Sequence, residues 1–177
     1  MRASLDHVGL GGRDKARRAR FRIWVLLAVP LAAVLFQVYV PLFLSVVSYL
    51  DVPLLVTVYF SVMWRNPLAG IFFGASIGLV QDSLSSQPLG MFGIVKTLVG
   101  YGCSSMGTRL DAGHAFVRIF LCFLFFLFHQ VVHWLLRWGL LGQQMPPDVA
   151  QTFALAFLNA GVAVPVYYVL DRLKGTD

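Results

Sequence analysis

From residue 22 onward the chain is a series of apolar runs, and its charges collect at the joints between them. The runs cover about 22–46, 50–64, 67–81, 89–106, 114–139 and 149–171. Hydrophobic residues make up 58% of the 177 residues and charged residues 12%. A soluble domain of this size carries about a quarter charged residues. Runs of this length and composition predict helices in lipid, because only helices and closed barrels satisfy their own backbone groups there. The fold class expected is therefore an all-α integral membrane protein, a compact bundle of six transmembrane helices. Residues 22–172 form that membrane domain, residues 1–21 a basic cytoplasmic tail and residues 173–177 a second short cytoplasmic tail.

Runs two and three are short, and Trp64-Arg65-Asn66-Pro67 separates them. Pro67 donates no hydrogen bond and disfavours a continuous helix. The rival is a single kinked helix over 50–81, which would place Arg65 in mid-membrane. Pro30, Pro41 and Pro165 predict kinks in their own helices. Asp148, with Gln151 three residues on, has the form of a capping box for the sixth helix.

Charge sets the orientation. Arg2, Arg13, Lys15, Arg17, Arg18, Arg20 and Arg22 precede the first run, against Asp6 and Asp14, a net of +5 over the first 22 residues. With both termini inside, the cytoplasmic segments hold those seven cations together with Arg65, Arg109, Arg118, Arg172 and Lys174, twelve of the fourteen basic residues. Such a tail could bind nucleic acid, but beside a membrane span it reads more simply as a topology signal and an attraction to anionic lipid. The two cysteines, Cys103 and Cys122, lie in separate apolar runs and read as small buried apolar groups, with no redox or metal framework.

Among the polar residues within or beside the apolar runs, Asp82, Lys96, His129, His133 and Arg137 form the set of interest, and Asn159, in mid-span, is expected to find a hydrogen-bond partner there. Counting from the cytoplasmic ends at about 1.5 Å per residue puts Asp82, Lys96, His133 and Arg137 about 20–28 Å up, all in the outer half. An Asp82–Lys96 ion pair is expected, with Ser83 to Gln87 folding back between helices three and four. Ionisable groups at such positions are costly and mark a structural lock or a partner-binding role. His129 and His133 are four apart on one helix face, and Arg137 continues the stripe. A zincin would place glutamate after the first histidine; Gln130 stands there, so no metal site is expected. No nucleophile–base pair, paired acids or phosphate-cradling loop is recognisable, so neither an enzyme nor a cofactor is expected. Gly70, Gly74 and Gly78 form a ridge of small residues suited to close helix packing, and Gly100, Gly102, Ser104 and Gly107 thin the fourth helix in the same way.

The block from Arg65 to Gly107 resembles the rod shape-determining protein MreD family. The likeness lies in Gly70, Gly74 and Gly78 on an apolar helix, then Asp82, a Ser-rich link, the turn Pro88-Leu89-Gly90, and Gly100-Tyr101 near the end of the next helix. The resemblance implies a non-enzymatic scaffold of the cell-wall elongation complex in the bacterial cell inner membrane. It implies binding to MreC, a single-span scaffold. Through MreC it implies links to a class B penicillin-binding transpeptidase, to RodA and to MreB. It also implies a fold similar to the S component of energy-coupling-factor transporters. A small-solute binding S component is the alternative reading; it requires a roomy polar pocket opening outward, lined by groups such as Lys96, His133 and Arg137.

Overall fold

A computed structural model describes residues 23–85, 88–110, 114–142 and 148–173. All the regular structure among them is helical: α1 (Ile23–Tyr39), α2 (Val52–Trp64), α3 (Pro67–Leu84), α4 (Met91–Gly107), α5 (Ala115–Leu141) and α6 (Val149–Arg172), with two 3₁₀ turns at Val40–Leu42 and Ser45–Tyr49. Four stretches are long and apolar enough to cross a bilayer: Ile23–Leu42, Pro67–Leu84, Ala115–Leu141 and Val149–Arg172.

The bundle is arranged around its shortest helix. α2 has 13 residues, so it rises only about 20 Å and falls short of the roughly 30 Å hydrocarbon core. Its residues from Pro53 to Met63 are all buried, and the helix packs against each of the other five. Lipid therefore meets the surrounding helices and not α2. Those helices are apolar on the outside as well: Trp24, Phe72, Phe116 and Phe157 are exposed. A continuous apolar exterior of this kind is costly in water and favourable in lipid.

The joint after α2 forms as its sequence dictates. α2 ends at Trp64, Arg65 takes a left-handed conformation (φ 51°), and Asn66 caps α3 by accepting from the Leu68 N–H at 3.1 Å. Pro67 occupies the first position of α3, where its missing N–H costs nothing. The single kinked helix over 50–81 is thereby excluded. The glycine ridge packs α3 on α4: a Cβ at Gly70 would overlap the Gly100 carbonyl, one at Gly74 the Lys96 carbonyl and one at Gly78 the Phe92 carbonyl. Gly107 lies against α2, where a Cβ would stand 2.6 Å from the Val62 carbonyl oxygen.

Three expectations change. The first helix ends at Tyr39 rather than near residue 46, because Pro41 breaks the ladder and the chain continues in 3₁₀ turns. Pro41 therefore terminates a helix, whereas Pro30 and Pro165 lie inside α1 and α6. α3 continues past residue 81 to Leu84, so Asp82 sits in its last turn. At α6, Asp148 caps as expected, accepting from the Gln151 N–H at 3.1 Å.

Candidate functional site

Any helix that begins inside a membrane must satisfy its first N–H groups without water. The head of α2 is enclosed by other helices, and its neighbours answer group by group. The Asp51 carboxylate accepts from the Leu54 N–H at 2.9 Å. Pro53 has no N–H. The Val52 N–H donates to Gln37 Oε1 of α1 at 3.1 Å, and the Asp51 N–H donates to Asn159 Oδ1 of α6 at 2.9 Å. Asn159 Nδ2 donates in turn to the Tyr49 and Leu155 carbonyls at 3.0 and 2.9 Å. Asn159 thus fastens the 3₁₀ segment, the head of α2 and α6 together.

The charge of Asp51 is met from α4 and α5. Lys96 Nζ donates to both carboxylate oxygens at 3.2 and 3.1 Å, and His129 Nε2 lies 3.5 Å from Oδ2. The Lys96 side chain is 0% exposed and that of Asp51 14%. Beside them, the Lys96 ammonium lies 5.1 Å from the Phe92 ring centroid. Phe92 stacks on His133 at 5.4 Å, and His133 lies parallel to His129 at 5.9 Å. Side chains from α1, α2, α4, α5 and α6 therefore meet at the head of α2.

Lys96 does not pair with Asp82, contrary to the expectation from sequence. Asp82 instead caps α4: Oδ2 accepts from the Gly90 and Gly93 N–H groups at 3.0 and 2.9 Å, and Oδ1 from Phe92 at 3.0 Å. The turn makes this possible. Gly90 has φ +95°, a conformation L side chains rarely adopt, and Gly93 leaves room for the carboxylate. Lys96, about one turn beyond Gly93 on α4, takes Asp51, which the sequence did not single out. The signal was present: an aspartate one residue before Val52-Pro53, at the start of a run too short to span, is an N-cap signature.

The remaining sequence-stated residues fall around this junction. Pro88 and Leu89 lead into Gly90, with Leu89 exposed. Tyr101 is exposed on the outer face of α4. Arg137 is partly buried, one turn beyond His133 on α5. The basic tail, including Arg13, Lys15, Arg17, Arg18, Arg20 and Arg22, lies outside the described residues, as do Ser86 and Gln87 of the link.

A second ionic group stands toward the opposite end of α2. Arg118 Nη1 of α5 donates to Asp171 of α6 at 2.8 and 3.0 Å, and the Tyr59 hydroxyl of α2 donates to Asp171 Oδ1 at 2.7 Å. The sequence reading used Arg118 only as a topology marker and passed over Asp171. Polar locks therefore hold both the head and the lower half of α2.

Chemically, the upper junction is engaged at its carboxylate and amides, while both His129 ring nitrogens and His133 Nε2 are buried with no hydrogen-bond partner among the described residues. Its carboxylate is occupied by an ammonium and a helix N-terminus, and its amides by backbone. Among the described residues no group of three or more His, Cys, Asp or Glu side chains is placed to hold a metal. Two clefts open on the apolar exterior. One, about 410 Å³, lies between α1 and α3 and is lined by Leu27, Pro30, Leu31, Phe73, Ile77 and Val80. The other, about 330 Å³, lies between α5 and α6 and is lined by Leu127, Val131, Trp134 and Phe153. Comparison with protein-family models, with curated proteins and with solved structures finds no match.

Proposed function

We propose that this chain is a non-enzymatic scaffold of the bacterial inner membrane, acting in wall elongation as proteins of the MreD family do, with MreC as its direct partner. The transpeptidase, RodA and MreB are reached through MreC. One observation carries the reading: the buried charges Asp51, Lys96 and Asp82 are engaged with each other or with helix ends. Asp51, Lys96 and Asn159 lock helices, and Lys96 is wholly shielded. Such an interior is a frame, and its open features are apolar clefts on the side facing lipid. A partner's transmembrane helix would be received there by side-chain packing, since lipid offers little hydrophobic drive between helices. The charge distribution supports an orientation with both termini in the cytoplasm.

The solute-binding alternative needs Lys96 and its neighbours to line an outward cavity. The pairing of Lys96 with Asp51 and its full burial do not favour it. The test is co-purification with MreC in mild detergent, with leucine-to-tryptophan changes at Leu27 and Leu31 to fill the α1–α3 cleft. Retention of MreC by the unmodified protein and loss on filling the cleft is expected. Reproducible failure of the unmodified protein to retain MreC would overturn the proposal.

A further inference from the structure

Between the end of α1 and the head of α2 the chain passes through the two 3₁₀ turns, Val40–Leu42 and Ser45–Tyr49. No Asp, Glu, Lys or Arg stands between Arg22 and Asp51, so this connection carries no charge. Its large side chains nevertheless point away from the bundle. Phe43 is 86% exposed, Leu42 74% and Val46 71%, and Leu44 and Tyr49 are exposed beside them. A contiguous apolar patch of this kind is unfavourable in water and marks a contact with a membrane or with another protein.

The level of the segment decides between the two. In a bilayer whose hydrocarbon boundary lies at Arg65, Asp51 stands fourteen residues further along α2, about 21 Å deep. Tyr39 stands sixteen residues beyond Ile23, about 24 Å along α1. The hydrocarbon core is about 30 Å thick, and any tilt of the helices lowers both levels. A 3₁₀ turn rises about 2 Å per residue, so Val40–Leu42 gains only about 6 Å before the chain turns back. The connection therefore leaves α1 beneath the far boundary, reaches that boundary and returns beneath it to Asp51.

Its far end is tied at this depth. Asn159 Nδ2 donates to the Tyr49 carbonyl, and Asn159 and Gln37 accept from the two amides that follow, Asp51 and Val52. The backbone is also partly self-contained. The Phe43 and Leu44 N–H groups donate to the Val40 carbonyl at 3.0 and 2.9 Å, and the Val47 N–H to the Leu44 carbonyl at 3.0 Å. The Ser48 hydroxyl donates to the Ser45 carbonyl at 2.6 Å. Irregular backbone is not tolerated bare in mid-hydrocarbon, where nothing completes it. At the headgroup boundary the apolar side chains face acyl chains, and water reaches whatever the turns leave open.

We propose that Val40–Tyr49 is a shallow re-entrant anchor, laid at the headgroup–acyl boundary of the leaflet away from Arg65, with lipid covering its exposed apolar face. Through Asn159 it fixes the depth of the α2 head. This stands apart from the scaffold reading and needs only that the bundle sit in a bilayer.

Spin labelling of the full chain in lipid nanodiscs tests it. Cys103 and Cys122 are fully buried, so a cysteine introduced at the surface takes the label. Leu42→Cys, Phe43→Cys and Val46→Cys each replace an exposed side chain and give three independent readings. Phe72→Cys on the exposed face of α3 is the hydrocarbon reference, and Thr176→Cys near the C-terminus the aqueous one. Collision of each label with a water-soluble nickel chelate and with oxygen is read by power-saturation EPR. The expected result at all three positions is high oxygen contact with nickel contact about tenfold below that at Thr176, yet above that at Phe72. Nickel contact equal to that at Thr176 would put the segment in water and overturn the anchor. Nickel contact as low as at Phe72 would put it in the hydrocarbon and overturn the boundary placement. Low contact with both reagents would mean that protein covers the face, a second copy or a partner, and would overturn lipid as its occupant. Melting temperatures matching the unmodified protein verify that the variants keep the fold.

Discussion

Removing Asp51 strikes the point on which the bundle turns. Lys96 is wholly buried, and its hydrogen bonds both go to this carboxylate, at 3.1 and 3.2 Å. Breaking a buried pair from one side leaves an uncompensated charge and costs about 3–5 kcal/mol. The same carboxylate caps α2 at Leu54, a contribution of about 1 kcal/mol. Asp51→Ala is therefore expected to destabilise by about 4–6 kcal/mol, the sum of those two effects. For chains of this length each kilocalorie shifts the melting temperature by about 2–4 °C, giving a drop of about 8–24 °C. Lys96→Met should cost less, because Asp51 keeps the Leu54 N–H and a neighbouring His129. The double variant is the sharper measurement. With the lysine gone, losing Asp51 removes little more than a cap, so Asp51→Ala with Lys96→Met should recover about 3 kcal/mol relative to the sum of the singles. The assay is thermal unfolding of detergent-purified protein followed by intrinsic fluorescence. Strict additivity, or an Asp51→Ala protein that melts with the unmodified one, would refute the view that this pair is a coupled lock.

Four further outcomes follow from the geometry. Asp82→Ala should cost about 1–3 kcal/mol by stripping three N–H groups of their acceptor, and amide hydrogen exchange should accelerate at Gly90, Phe92 and Gly93; unchanged exchange there would contradict the cap. Gly74→Ala should destabilise by about 1–3 kcal/mol or more, since the added methyl meets the Lys96 backbone carbonyl. Gly161→Ala, with nothing within 4 Å of the new Cβ, should be neutral or stabilise α6 by about 0.5–1 kcal/mol, and melting curves of the two variants separate close approach from helix propensity. Asp148→Ala should remove the cap of α6 and lower stability by about 1 kcal/mol, with faster exchange confined to the first turn from Val149.

How much could be read in advance depended on the range of the interaction. The helices, the Pro67 break and the Asp148 cap are visible because each is decided within a few residues of chain: a proline lacks a donor, and a carboxylate reaches three residues ahead. The Gly70, Gly74 and Gly78 ridge is also visible, because its four-residue spacing places all three on one face whatever lies opposite. Asp82 was rightly marked as a placed charge and wrongly paired. Its acceptor role toward Gly90, Phe92 and Gly93 depends on the left-handed turn at Gly90, whereas a pairing drawn from height alone treats every charge at one level as a neighbour.

What the sequence determined by itself was the solvent and the inventory: apolar runs that must be helical in lipid, small residues where backbones can touch, and a handful of polar groups that lipid will not tolerate unsatisfied. The tertiary structure alone decided which groups satisfy which. Gln37, Asp51 and Asn159 lie far apart along the chain, and only the packing of α1 and α6 around α2 brings two amides to the N–H groups of one short helix. The reason is that a short helix enclosed by other helices has little access to water at its head. Its first turn must be completed by whichever side chains the surrounding helices carry to that depth.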